Sequence, residues 1–124
     1  MSILALAELI SDMVGHQVYA LSFPEYSEDE AVKLEITSGV QEAGGVDDFN
    51  IQLIVRASHP ARTEKICIDI IENLDKKTNR IFDSGKCQMI LAKAEAPQPY
   101  YMGQAENGAF LMSVDFRLLT TTLT

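Results

Sequence analysis

A length of 124 residues fits one domain with a core of its own, so we expect residues 1–124 to form a single domain. The net charge of −8, with no basic cluster larger than Lys76–Lys77, argues against affinity for nucleic acid or anionic membranes, because phosphate contacts need clustered Lys and Arg. The longest uncharged apolar stretch, Ile3 to Ala7, is too short to span a bilayer. Since the N-terminus lacks the basic segment of a signal peptide, we expect synthesis in the cytosol.

An amphipathic helix is predicted over residues 2–14. Ser2 suits its N-cap, and Gly15 suits the position after its end, where a left-handed residue closes the helix. The apolar residues that share one helix face through their i, i+3, i+4, i+7 spacing are Ile3, Leu6, Ala7, Ile10, Met13 and Val14.

Three strands are predicted next, each with apolar residues at alternate positions. In residues 17–23 the shared face carries Tyr19, Leu21 and Phe23, and Pro24 ends the run. The apolar positions of the second and third strands are Val32, Leu34, Ile36, Phe49, Ile51, Leu53 and Val55.

The segment Ser38 to Asp48, between the second and third strands, is rich in glycine and acidic residues. It is much longer than a tight turn, so a long, mobile hairpin loop is predicted that becomes ordered on assembly. The candidate residues of this mobile assembly loop are Gly39, Gly44, Gly45, Asp47 and Asp48.

A second helix is predicted to begin at Pro60, because the first helical position does not need the N–H that proline lacks, and to end by Thr78. A short strand around Arg80–Phe82 is left open. The buried stripe of this helix is predicted to be Ile66, Cys67, Ile70, Ile71 and Leu74.

The last third of the chain is again predicted as strand. Alternating apolar residues indicate one strand at Cys87–Leu91 and a long last strand at Phe110–Leu118. Ala96–Pro99 breaks regular structure, and Asn107–Gly108 is a turn signal. The tail Thr120–Thr124 is predicted to fray.

The predicted fold is α+β: a single mixed, mostly antiparallel sheet with two helices on one face, in the order α-β-β-β-α-β-β. Helix stripes and strand alternation agree on one core. Its predicted members are Leu6, Ile10, Leu34, Ile36, Leu53, Ile66, Ile70, Val114 and Phe116.

Residue types that carry chemistry are few, and none forms a recognisable site. His16 and His59 lie at element boundaries, where histidine is usually a polar turn residue. Cys67 and Cys87 occupy apolar positions without metal-ligand spacing, so both are predicted to be buried, reduced thiols.

Two further segments approach binding motifs without matching them. Ser84-Gly85-Lys86 lacks the first glycine and the final Ser or Thr of a phosphate-binding loop. The carboxylates of Glu28–Glu30 and Asp47–Asp48 lack the register of a calcium loop and are interpreted as solvated. We therefore expect no catalytic residues, no cofactor and no metal.

Tyrosines form the remaining candidate surface, because Tyr suits places that are apolar at one end and wet at the other. Tyr26, Tyr100 and Tyr101 can serve a ligand or a partner, or lie at the rim of the core. Tyr100, Tyr101 and Met102 lie in a stretch without a core pattern, and they are the candidate subunit interface.

The chain resembles a family of small phage proteins in four features. These are the leading helix, the strands around an acidic glycine-rich segment, the helix opened by proline, and residues 99–108 (PYYMGQAENG) followed by the strand AFLMSVDF at 109–116. The family is that of the minor capsid, tail-terminator (tail-completion) and head–tail joining proteins of tailed phages and prophages. The likeness covers most of the chain, and no residue role is carried over from it.

This resemblance implies a virion protein that is made in the bacterial host cytoplasm. It implies self-assembly into a ring, in many cases a hexamer, with tail-tube and head–tail connector proteins as partners. Such a ring stops tube polymerisation, joins tail to head and lets DNA pass without sequence-specific binding. A negative charge is consistent with a conduit for DNA.

Two other functions remain open. The first is a small ferredoxin-like ligand-binding or regulatory module, which needs a preformed pocket with convergent polar groups. The second is an enzyme, which needs a nucleophile, base or metal set.

Overall fold

The computed structural model describes residues 1–23, 30–41 and 44–123. Within these ranges two helices lie against a seven-stranded mixed sheet, which confirms the predicted fold class. The elements are α1 (Ile3–Val14), β1 (Val18–Ala20), β2 (Ala31–Gln41), β3 (Val46–Ala57), α2 (Pro60–Leu74), β4 (Thr78–Phe82), β5 (Cys87–Ala94), β6 (Tyr100–Gln104) and β7 (Phe110–Thr122).

Helix α1 has the caps that its sequence predicts. The Ser2 hydroxyl accepts a hydrogen bond from the Ala5 N–H at 3.3 Å, and Gly15 ends the helix at φ 75°. The Ser11 hydroxyl accepts a hydrogen bond from the Val18 N–H at 2.8 Å. The end of α1 therefore holds the start of β1.

Helix α2 begins at Pro60 and ends at Leu74, within the predicted limits. The buried Thr63 donates its hydroxyl hydrogen to the His59 carbonyl at 2.8 Å, which fixes the first turn. After the helix, the Asp75 carboxylate accepts a hydrogen bond from the Ala94 N–H at 2.8 Å. This bond attaches the turn between α2 and β4 to strand β5.

The strand order is β1-β2-β3-β7-β5-β4, with β6 also paired to β7. Only the short β1 runs parallel to its neighbour among the described pairs; the others are antiparallel. Strand β7 pairs with β3 along its whole length, from Phe110–Ala57 to Thr121–Val46. On its other side β7 pairs with β6 near its start and with β5 near its end, so β5 and β6 lie end to end.

Both helices lie on the same face of the sheet, because they contact each other and share one hydrophobic core with it. All of the predicted core residues are buried except Ile36, which is 36% exposed. Strand β1 covers β2 only from Val32 to Leu34, so beyond that point β2 is a sheet edge. Ile36 therefore lacks a neighbour on one side.

The predicted apolar face of the first strand was wrong. Register with β2 pairs Val18 with Val32 and Ala20 with Leu34, and this places Val18 rather than Tyr19 in the core. Leu21 follows the strand at φ 71° and is 62% exposed. In so short a strand, pairing with the parallel strand β2 determines which residues face the core, and the alternation of apolar residues in the sequence does not.

The long loop predicted at 38–48 was also wrong, because most of this segment is paired strand. Ser38 pairs with Asn50 and Gln41 with Asp47. Backbone pairing leaves residues 42–45 as the connection, of which 42–43 lie outside the described residues. Gly39 is accommodated in β2 because the Phe49 ring occupies the place of its missing side chain.

The tail and β6 differ from prediction for the same reason. Thr120 is buried and Thr121 pairs with Val46, so the predicted fraying of Thr120–Thr124 does not apply to residues 120–122. Strand β6 is not among the predicted elements. Its pairing with β7 completes a hairpin that the two prolines before it conceal in the sequence.

Candidate functional site

Strands β6 and β7 form a hairpin with three large exposed side chains. Tyr100, Tyr101 and Met102 are 51%, 60% and 47% exposed. Successive strand residues point to opposite faces, so the hairpin is uncovered on both faces at β6. The structure thus brings together the three residues predicted as a subunit interface, and it places them at the surface rather than at the rim of the core.

The hairpin turn is held by its own hydrogen bonds. The Ala105 N–H donates to the Ala109 carbonyl at 2.8 Å, and the Asn107 side chain accepts from the Ala109 N–H at 3.1 Å. The Gln104 amide donates to the Gly108 carbonyl at 3.1 Å. A turn tied this way presents the three exposed residues on a defined backbone, which reduces the ordering cost of a contact.

A β-bulge in the middle of this surface changes the direction of strand β6. Tyr101 pairs with Met112 and Gly103 with Leu111, so Met102 is the extra residue on β6. Gly103 takes φ 106°, a conformation that favours glycine. Among the described strands β6 pairs only with β7, so its other edge is open.

The residues of the predicted mobile assembly loop are divided between the tip of the β2–β3 hairpin and the strands behind it. Gly44 and Gly45 have φ values of 84° and 79° there, and the Gly45 carbonyl accepts a hydrogen bond from the Thr121 hydroxyl at 3.0 Å. Gly39 and Asp47 lie in the paired strands behind the tip.

Asp48, the last member of that group, belongs to an ion pair. Its carboxylate accepts two hydrogen bonds from the Arg117 Nε, at 2.9 and 3.0 Å, and a further one from the terminal guanidinium nitrogen. Hydrogen bonds from Arg117 hold the pKa of Asp48 below its usual range. Asp48 is therefore a structural group of the outer sheet face.

The two predicted surfaces lie at opposite ends of the sheet. Strand β6 pairs with the start of β7 at Ser113, whereas the hairpin tip pairs with its end at Thr120. Seven strand residues separate these points, or roughly 25 Å. The two surfaces are therefore separate patches rather than one cluster of side chains.

The histidines, the residues most often used in acid–base catalysis, are far apart and lie at the ends of helices. His16 contacts Asp69 at 3.3 Å, and Lys65 donates to the same carboxylate at 2.7 Å. The hydrogen bond from Lys65, then that from His16, lowers the pKa of Asp69. His59 is the N-cap residue of α2. The histidines thus lie at helix ends, as predicted.

The two thiols are buried and unpaired, as predicted. Burial raises the pKa of Cys67 to about 12, so the reactive thiolate is disfavoured at neutral pH. No group of three or more His, Cys, Asp or Glu in the described ranges is placed to hold a metal ion. Tyr26, Glu28 and Asp29 lie outside those ranges.

Neither helix in the described part of the chain combines the length and apolar character needed to cross a membrane. The surface carries open grooves between its elements. One, between α1 and the turn after β4, is lined by Glu8, Asp12 and Asp83 among others.

A family model described as bacteriophage tail terminator protein matches residues 4–122. The chain belongs to the bacteriophage tail terminator family. This confirms the resemblance drawn from the sequence and makes the protein a structural component of a phage tail. No curated protein sequence matches the chain.

A solved structure shares the fold of this tail terminator family member. The match is to a chain of a structure titled "Virion of native gene transfer agent (GTA) particle", with a TM-score of 0.58 and 15% sequence identity. It covers 91% of this chain and 84% of that chain.

Sequence reasoning missed strand β6 itself. Its signal was present: a Tyr-Tyr-Met run, a turn at Asn107–Gly108 and a long alternating strand together form a hairpin pattern. Pro97 and Pro99 argued against strand, but both precede β6, where proline is tolerated.

Proposed function

We propose that the protein ends the tail tube of a phage as a closed ring. The ring, which the resemblance implies to be a hexamer, stops tube polymerisation and joins the tail to the head. Membership of the tail terminator family is the observation that carries this proposal. A lone subunit of 124 residues cannot surround DNA, so the role requires several copies.

The exposed hairpin supports the ring. A cyclic assembly uses one surface of a subunit against a different surface of the next. Tyr and Met are enriched at protein interfaces, and three such side chains are exposed on the two faces of an ordered hairpin. We assign Tyr100, Tyr101 and Met102 to contact with a neighbouring subunit or with the tail tube.

The remaining parts of the proposal follow from the role. The partners are further copies of the chain, tail-tube protein and head–tail connector protein. The protein acts in the virion after synthesis in the host cytoplasm, as a single domain without catalytic activity. DNA passes through the ring, and a subunit charge of −8 disfavours its adhesion.

The test is the oligomeric mass by light scattering over a range of concentrations. Each subunit carries −8, so the measurement is made at raised ionic strength and repeated with tail-tube protein present. We expect a ring, and we expect a Tyr100→Ser/Tyr101→Ser variant to weaken ring formation or tube binding about tenfold or more. Leu4→Ser is the matched control, because Leu4 is 71% exposed on α1, away from the hairpin.

A chain that stays monomeric under all these conditions contradicts the proposal. So does a stable dimer that binds a small metabolite with micromolar affinity, which is the behaviour of the regulatory module. Circular dichroism of the tyrosine variant shows whether it is folded.

A further inference from the structure

The sheet has two open edges apart from β6. Strand β4 pairs with β5 on one side, and the structure describes no strand on its other side. Strand β2 is covered by β1 only as far as Leu34, so residues 35–41 have β3 on one side and no described strand on the other. An open edge offers unpaired N–H and C=O groups to another chain.

The end of β2 and the start of β4 lie at the same height across the sheet. One row of Cα partners crosses the sheet from β2 to β4. It consists of Gln41 on β2, Asp47 on β3, Thr120 on β7, Met89 on β5 and Arg80 on β4. The next row begins at Val40 and, through the same strands, ends at Thr78. A neighbour related by rotation about an axis along the strands therefore brings its β4 beside β2 without a shift in height.

The two edges also run in the same direction. Four antiparallel steps separate β2 from β4, through β3, β7 and β5, so the two strands point the same way. Rotation about an axis along the strands preserves that direction. The pair formed between copies is then parallel, with evenly spaced hydrogen bonds.

The charges of the two edges are complementary. The cations Lys76, Lys77, Arg80 and Lys86 lie in or beside β4, and none forms an ion pair within the described ranges. Asp47 beside β2 likewise has no ion-pair partner in the described part of the chain. The anions near β4 are Asp75 and Asp83, together with Glu8 and Asp12 on the facing side of α1, and Asp75 already accepts the Ala94 N–H.

One pair of charges is matched in detail. Arg80 and Asp47 belong to one row of Cα partners, so their side chains share a face of the sheet. With β4 of one copy beside β2 of the next, Arg80 lies two strands from the neighbour's Asp47, or about 10 Å between Cα atoms. An arginine and an aspartate side chain together span that distance.

Apolar side chains lie on or next to the aligned rows, with Val40 on the row of Thr78 and Ile81 one row beyond Gln41. Ile81 on β4 is 56% exposed, and Val40 on β2 is 63% exposed. Each is a large apolar group at an edge that is otherwise open to water. We infer that the start of β4 of one copy lies in parallel beside the end of β2 of the next copy, with Thr78 opposite Val40 and Arg80 opposite Gln41, and that this head-to-tail contact continues the sheet around the ring.

This inference rests on the proposed function, since it names the contact by which the ring closes. It leaves the β6–β7 hairpin, which projects from the other end of the sheet, for contact above or below the ring. Lysines at a sheet edge can also prevent pairing with another chain. A β-bulge has the same effect, and β2 carries one at Thr37. The experiments below distinguish charges that join two copies from charges that keep the edges unpaired.

Disulfide mapping tests the geometry. Val40→Cys and Thr78→Cys variants are prepared separately, mixed under ring-forming conditions and oxidised. The two positions lie on one row, so neighbouring strands place their Cα atoms within disulfide range. We expect the mixture to form covalent dimers, and each variant alone to form none, because the contact joins two different edges. The native chain is the control, since both of its thiols are buried.

Charge exchange tests the recognition. Arg80→Glu and Asp47→Lys should each weaken ring formation by about threefold or more, and the double variant should recover most of the loss at the native net charge of −8. Lys93→Glu on the inner strand β5 and Glu64→Lys near the start of α2 are matched controls, because they change the charge equally at exposed positions outside the two edges.

The outcomes are distinguishable. A ring that forms without the mixed disulfide, or with Val40→Cys joined to itself, overturns the inference and leaves the ring in place. A chain that never assembles, even with tail-tube protein, overturns the proposed function and the inference with it. A ring whose stability follows net charge alone, with no recovery in the double variant, shows that these charges protect the edges.

Discussion

Replacing Gly39 by alanine probes the hairpin that replaced the predicted loop. Gly39 lies opposite Phe49 in the β2–β3 pair. A Cβ at this position would lie 2.6 Å from Cδ1 and 2.8 Å from Cε1 of the Phe49 ring, so the ring must move. The ring packs against the core, which limits where it can go. Overpacking of this kind costs about 1–3 kcal/mol.

An opposing effect reduces the net loss. Alanine restricts the unfolded chain, which stabilises the fold by about 0.4–1 kcal/mol where the backbone angles suit it. We therefore expect Gly39→Ala to lower the free energy of unfolding by about 1–2 kcal/mol, measured by urea denaturation. In a Phe49→Leu background the clash disappears, and the same substitution should be neutral or stabilising.

The double-mutant cycle is the decisive measurement, because it isolates the contact between the two residues. A coupling energy near zero, or a Gly39→Ala chain as stable as the native one, would show that the ring does not occupy this place.

Two more predictions concern buried and paired groups. Both thiols should react slowly with a thiol reagent in the native protein, and Cys67→Ala should lower the free energy of unfolding by about 1 kcal/mol or somewhat more; rapid labelling of Cys67 and Cys87 would contradict their burial. Asp69 has a lowered pKa in the folded state, so its contribution to stability is present above pH ~4 and is lost as the pH falls through the folded pKa. Asp69→Asn should therefore make unfolding less sensitive to acid between about pH 5 and 2, and an unchanged profile would show that the Lys65 and His16 contacts have no effect on stability.

The predicted interface and the predicted loop show different limits of sequence reasoning. Tyr100, Tyr101 and Met102 were identified because large side chains without a core pattern stand out in the sequence. The segment 38–48 was misread because glycine and aspartate favour turns locally, whereas pairing with β3 and the Phe49 ring over Gly39 outweigh that preference. Local residue preferences determine the backbone conformation only where no partner strand pairs with the segment.

By itself the sequence determined the helices, their caps and most of the core. Ser2, Gly15 and Pro60 act through the backbone within a few residues, and the stripes of α1 and α2 follow from helical spacing alone. Only the tertiary structure decided the strand order, the extent of β2 and β7, and the existence of β6. Strand pairing joins residues far apart in the chain, such as Val46 and Thr121, so no local pattern specifies it. For the same reason the alignment of the open edges on β2 and β4 appears only once the sheet is assembled.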